Sequence, residues 1–320
     1  MLRRTLLTSL LATPALAQTA LAQPAWPTRP VRFIVPFAAG GPVDVPARFL
    51  AEYLAPRLGQ PVIVENRSGA GGAVGVQAVM AATDGHSLLF GTGSIAIQPA
   101  LQPDIGYDPL RDLTPISLVS ESPMAFSAPA NGRITSLPQL IAFARANPGK
   151  VTYGSSGTGT TTHMVGALFA LRAGVEMVHV PYRGAGQMIG GFLAGDLDLM
   201  IGEASTVLPH VREGRAIAVA QTAAERSPVL PNAPTLEETI PGTAMPIWFA
   251  LCGSRATPPE AAARLVREMA PLRDGSDLAQ RMAANGAKLL LTEPQVLRQR
   301  LEREVPLWRQ VVQQAGIKAE

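Results

Sequence analysis

Twice in this chain a short β-branched run stops at a turn of small residues and restarts with helical periodicity. The first unit is the run Val31 to Val35, then "PFAAGGPV", then "DVPARFLAEYL". The second is the run Val151 to Tyr153, then "GSSGTG", then "TTTHMVGALFAL". In the first, Ala47, Leu50, Tyr53 and Leu54 fall at helical spacing. Asp44 is the expected N-cap, and Pro46 sits in the first turn, where a missing N–H is tolerated. In the second, Met164, Leu168 and Leu171 form the apolar face, and Thr160 to Thr162 are N-cap candidates. A strand–turn–helix unit leaves backbone N–H groups unpaired beside the positive end of a helix, where an anion is stabilised. The hydroxyls of Ser155, Ser156, Thr158 and Thr160 add further donors. Open α/β sheets bind ligands at the carboxyl ends of their strands. Two such turns therefore predict two lobes facing each other across a cleft. Each neutral N–H or O–H donor stabilises a bound carboxylate by roughly 1.5–3 kcal/mol.

Strand-like and helix-like segments alternate along the chain, which predicts an α/β fold with largely parallel sheets. Two connections rich in Pro and Gly, 102–115 and 222–246, are longer than a compact domain needs, and the segment between them reads as an α/β unit of its own. The expected division is lobe 1 from 23–123 plus 245–320 and lobe 2 from 124–244, with hinges near 120–127 and 222–246. The last helix should open with a capping box, Thr292-Glu-Pro-Gln295, and carry the apolar stripe Leu297, Leu301, Val305, Trp308 and Val312.

The first 22 residues read as a cleavable secretory signal. Arg3 and Arg4 precede an apolar run from Leu6 to Leu16, and small-x-small sites follow at Ala15-Leu16-Ala17 and Ala20-Leu21-Ala22. The run is too short to span a bilayer. The mature chain is expected to start near Gln18 or Gln23 and to be a soluble monomer outside the inner membrane. The Arg pair suits a twin-arginine route, and a Sec route fits equally. Removing the signal takes two arginines and no acids from 27 Lys+Arg and 24 Asp+Glu, leaving 25 − 24 = +1. So nearly neutral a chain, without a basic stripe, makes no case for a nucleic-acid partner. Cys252, the only cysteine, lies in the apolar run "IWFALCGS", which excludes an intrachain disulfide and predicts a buried, inert thiol.

Enzymatic readings find little support. A nucleophile elbow needs Gly-x-Ser-x-Gly. Around Ser156 the chain reads Gly154-Ser-Ser156-Gly-Thr158, without the last glycine. His86, His163, His179 and His210 stand singly, with no metal-binding spacing, and no metal or cofactor is expected. The turn "SGAGGAVG" has Val74 where a dinucleotide turn wants glycine, and "AAGGPVD" lacks the Gly-Lys-Ser/Thr of a P-loop. A hydrolase using Ser156 remains the enzymatic alternative.

The stretch "RPVRFIVPFAAGGPVDVPARFLAEYLAPRLGQPVIVENRSGAGGAVG" resembles the N-terminal signature of the Bug family, the extracytoplasmic solute receptors of tripartite tricarboxylate transporters. The resemblance continues through "YDPLRDLTPISLV", "PGKVTYGSSGTGTTTH", "HVPYRGAGQMIGGFLAGDLDLM", "LPNAPTLEE" and a C-terminal "W…AGIK". It implies a two-lobed periplasmic binding protein of the Venus-flytrap kind with type II-like sheet order. It also implies a small organic acid or amino acid as ligand and membrane transporter subunits as partners; a sensor partner is the alternative. In the family, the first-lobe turn and the Gly-Ser-Ser-Gly turn grip one carboxylate, partly through ordered waters. Carried onto this chain, that implies Phe37, Ala39, Gly40, Gly41 and Asp44, the last more as a helix cap than a ligand contact, on the first lobe and Ser155, Ser156, Gly157, Thr158, Gly159 and Thr160 opposite. "PYRG" adds Tyr182 and Arg183, the latter as a rim charge or an inter-lobe latch, and "GTGS" adds Thr92 and Ser94. Glu203, after the strand "LDLMI", faces either the cleft or solvent. Facing the cleft, it would repel a second ligand carboxylate and favour an amino group or a neutral tail.

Overall fold

The computed structural model describes residues 26–273 and 275–318; the export signal expected at residues 1–22 lies outside them. In the first lobe, β1 (Val31–Val35) lies between β2 (Val62–Asn66) and β3 (Ser87–Thr92) and runs parallel to both. The helices α1 (Asp44–Leu58) and α2 (Ala73–Ala81) make the crossovers. The chain continues through α3 (Ser94–Leu101), α4 (Pro109–Asp112) and β4 (Leu113–Ser122). It then passes to a second sheet through Pro123 alone, entering β5 (Met124–Pro129).

The second lobe repeats the plan. After α5 (Leu137–Ala146), β6 (Val151–Ser155) is flanked in parallel by β7 (Met177–Pro181) and β8 (Leu199–Glu203). The intervening helices are α6 (Thr161–Ala173) and α7 (Ala185–Ala194), and α8 (Ala204–Arg212) leads to β9 (Ala216–Gln221). Beyond α9 (Leu236–Thr239) the chain returns to the first sheet as β10 (Ile247–Ser254). It closes with α10 (Pro259–Met269), α11 (Asp277–Ala284), β11 (Lys288–Leu289) and α12 (Pro294–Ala315).

The strand orders are β2-β1-β3-β10-β4-β11 and β7-β6-β8-β5-β9. Each sheet is thus a parallel trio of order 2-1-3 joined to an antiparallel strand that adjoins a crossing, β10 in one sheet and β5 in the other. The expectation of largely parallel sheets is corrected: β10, β4 and β11 pair antiparallel, as do β5 with β8 and β9. A strand that enters straight from the other lobe, with no crossover helix, has no reason to run parallel to its neighbours.

Local corrections have simple causes. Asp44 does not cap α1; it occupies the first helical position and reaches back to the N–H of Gly40 (2.8 Å). Thr292 forms no capping box, because its Oγ1 accepts from the N–H of Leu118 (3.2 Å) and ties the start of α12 to β4. The α12 stripe packs as its periodicity predicts, and Glu304 is buried with it. Both of its carboxylate oxygens accept from the indole N–H of Trp248 (3.0 Å), and Arg300 Nε donates to it at 2.6 Å. Cys252 is fully buried in β10, and burial pushes its thiol up to about 12.

Beneath the second-lobe turn, the imidazoles of His163 and His179 stack with centroids 3.7 Å apart. Burial lowers His163 to about 4, and burial together with the neighbouring ring lowers His179 to about 3. Both rings stay neutral in the fold and gain a proton on unfolding below about pH 6.5. Stability from this pair is therefore complete above pH 6.5 and declines as pH falls toward 4. Glu203, at the end of β8, acts oppositely. Burial raises its carboxyl to about 7, so between pH 7 and 4.5 the folded state holds the extra proton. Urea unfolding between pH 6.5 and 5 should show a net uptake on unfolding of about one proton in the native chain and about two in Glu203→Gln. A stability independent of pH in both proteins would contradict the assignment of neutral rings.

Candidate functional site

The carboxyl ends of both parallel trios open onto one cavity of about 840 Å³. The first lobe lines it with the turn after β1 (Pro36 to Val43), the loop Ser68 to Gly72 ahead of α2, and Thr92 and Ser94 at the end of β3. The second lobe contributes Ser156 to Thr158, Thr160 to Thr162, Tyr182 to Met188, and Gly202, Glu203 and Thr206. Phe37, Ala39, Gly40, Gly41, Thr92, Ser94, Ser156, Gly157, Thr158, Thr160, Tyr182, Arg183 and Glu203 are thus brought together. Ser155 and Gly159 are not among the lining residues. Ser155 is fully buried at the end of β6, where its Oγ accepts from the N–H of Gly157 (3.1 Å) and lies 2.6 Å from His179 Nε2. Gly159 faces the other lobe.

The turns do not present all their donors to the cavity. On the first lobe the Gly40 N–H is taken by Asp44, whose carboxylate also receives Arg48 Nε and Asn66 Nδ2, each at 2.8 Å. Burial alone would raise that carboxyl, but these partners outweigh it and hold it below the usual range. Asp44 is thus a positioning residue that fixes the turn while its charge stays out of the cavity. On the second lobe Thr162 Oγ1 accepts the Ser156 N–H (3.1 Å), and His163 Nδ1 accepts the Gly159 N–H (3.1 Å). Gly157, at φ +132°, adopts a conformation that side-chain-bearing residues rarely take.

The unclaimed donors lie slightly further along. Among the described residues, the N–H groups of Ala38, Ala39 and Thr158 make no backbone or side-chain hydrogen bond. Thr161 and Thr162 begin α6, so their N–H groups have no acceptor within the helix. The hydroxyls of Thr158 and Thr161 are buried and lack a partner within the protein. Backbone and hydroxyl donors therefore converge at the α6 N-terminus, opposite Ala38 and Ala39, in a pocket that also presents Phe37, Met188 and Ile247. That combination can hold an anionic group at one end and apolar carbon beside it.

The lobes touch at the edge of this pocket. Gln98, on α3 and 2% exposed, donates Nε2 to the Gly159 carbonyl across the boundary (3.2 Å). A Cβ on Gly71 would lie 1.9 Å from that nitrogen and 2.9 Å from the Thr158 carbonyl, so only glycine fits there. Gln98 and the Ser68 to Gly72 loop are absent from the sequence-derived candidates. The signal for the loop was its run of glycines within the family-like stretch. Arg183 is exposed at the rim and, among the described residues, forms no ion pair. Ser156 Oγ pairs with Thr162 Oγ1 (3.0 Å), while the serine that meets a histidine is the buried Ser155. The hydrolase reading therefore has no exposed nucleophile–base pair.

Residues 46–317 match the Tripartite tricarboxylate transporter family receptor. The chain is 35% identical over 301 residues to Protein BugT of Bordetella pertussis, covering 92% of this chain and 91% of that protein. Among solved structures, the periplasmic binding protein BugD superposes with a TM-score of 0.82 at 32% identity, covering 92% of this chain and 100% of BugD. The R. palustris protein Rpa4515 with adipate superposes with a TM-score of 0.83 at 33% identity, covering 92% and 99% respectively. With its paired mixed sheets and the cavity between them, the chain belongs to the tripartite tricarboxylate transporter receptor family, the Bug extracytoplasmic solute receptors, and is a binding protein and not an enzyme.

Proposed function

We propose that this receptor captures one small carboxylate-bearing solute in the periplasm, closes its lobes over it and delivers it to the membrane subunits of a tripartite tricarboxylate-type transporter. The observation that carries the reading is the set of unclaimed donors around the α6 N-terminus, set against Ala38 and Ala39 of the other lobe. Rpa4515, seen with adipate, supports a carboxylate as the guest. On this reading lobe 1 comprises 23–123 plus 245–320 and lobe 2 comprises 124–244. The hinge strands are then those meeting at Pro123 and the segment from Thr222 to Pro246, where the chain changes sheets. A ligand bridging the two turns favours the closed form by its differential affinity for that form, and by no more.

Thermal-shift screening against small organic acids, followed by calorimetry, should identify a carboxylate ligand. With it in hand, Thr158→Val and Thr161→Val should each weaken binding about tenfold or more, the loss of one charge-assisted hydrogen bond. The melting temperature of the empty protein should stay close to native, since neither hydroxyl has a partner within the chain. Gly157→Val should weaken binding at least as much by forcing the turn out of its left-handed conformation. Unchanged affinity in all three variants would remove the second-lobe turn from the site. Scattering in solution should show the radius of gyration falling on ligand addition. In Gln98→Ala the ligand-bound form should be less compact, because the contact across the boundary is lost.

A further inference from the structure

Among the described residues, only two charged side chains line the cavity, Arg183 at the exposed rim and Glu203 at the inner end of β8. Glu203 is 7% exposed, and its Oε2 has no hydrogen-bond partner within the protein. It starts α8 without capping that helix. Among the described residues no cation lies within 4.0 Å of it, although ten other Asp and Glu residues of the structure do have such a partner. A buried carboxylate without a cation or a full set of donors is costly, and one left so beside a cavity invites its partner from the ligand.

Topology fixes where that partner must be. β6 lies next to β8 in the parallel trio, and adjacent strands are spaced about 4.8 Å apart. The donors that would hold the ligand carboxylate follow β6, so Glu203 lies about one strand spacing to the side. The matching place in the first lobe, at the end of β3, carries the neutral hydroxyls of Thr92 and Ser94, which bond each other at 3.1 Å. The cavity is thus asymmetric, with its one acidic group beside the anion grip.

We propose that Glu203 is a specificity-determining residue that pairs with an ammonium group of the ligand, two or three bonds from the gripped carboxylate, and turns away a second carboxylate. This rests on the carboxylate reading above and narrows it to amino acids. In the empty cavity burial raises the Glu203 carboxyl to about 7, with the hydroxyls of Ser122 and Ser205 opposing part of the rise. Tyr182 and Arg183 are the other titratable groups lining the cavity. An ammonium ion draws Glu203 into its ionised form and ends its lack of a partner. A second carboxylate meets either a like charge or a carboxyl that must retain its proton.

The test uses the processed full-length receptor and two matched sets of acids at pH 7. One set is butanoate, 2-aminobutanoate and succinate; the other is 3-phenylpropanoate, phenylalanine and benzylsuccinate. Calorimetry should place the aminated member tightest in at least one set, tenfold or more ahead of both others. Titrations in two buffers of different ionisation enthalpy should show that it releases a fraction of a proton on binding. In Glu203→Gln the ratio of aminated to unaminated affinity should fall at least tenfold and the proton release should vanish. A dicarboxylate that binds best, an unchanged ratio in the variant, or binding of the aminated acid without proton release would each overturn the proposal. The last is measured on the native chain and stands even if the variant fails to fold. Equal binding of aminated and unaminated acids sinks this assignment alone, whereas no binding by any member of either set sinks the carboxylate reading with it.

Discussion

The chain crosses between its two sheets twice, and the geometry of the cavity follows from where those crossings fall. One crossing takes a single residue, Pro123, and the other returns the chain as β10. Each inserts an antiparallel strand beside a parallel trio, so each trio keeps its carboxyl ends free. Those ends carry the turns after β1 and β3 in one lobe and after β6 and β8 in the other. The site is thus set by connectivity before any side chain is chosen.

Side chains then decide which amides remain open. Asp44, Thr162 and His163 accept N–H groups that glycine turns would otherwise leave free. Their effect is to make the turns stiff, and the donors that remain belong to Ala38, Ala39 and the first residues of α6. Keeping His163 and His179 neutral serves the same end, since an imidazolium under the turn would lose its acceptor nitrogen and could no longer receive the Gly159 N–H. The second-lobe turn therefore rests on two uncharged rings, with the polar chemistry held above them.

Much of this was legible in the sequence because it is local. β-branched runs, glycine turns and helical periodicity are all read within about fifteen residues, and they located β1 with α1 and β6 with α6. The turn donors at Thr158 and the helix start at Thr161 follow from the same pattern. Strand direction was not legible, since alternation of strand and helix says nothing about a strand that arrives without a helix. Gln98 could not be found either. Its partner carbonyl is 61 residues away, and it sits in a short helix interrupted by Pro99 that its own pattern did not announce. Asp44 was read as a cap because capping is the commonest use of an aspartate there; its engagement with Asn66 on the neighbouring strand depends on packing.

Cys252 has one practical outcome for this fold. The chain carries a single thiol, and it is sealed inside β10 with its ionisation suppressed. Alkylating reagents should therefore pass it by while the protein is folded. A cysteine engineered at an exposed rim position such as Arg183 would become the sole point of attachment for an environment-sensitive dye, turning the receptor into an optical reporter of its own guest without prior removal of the native sulfur.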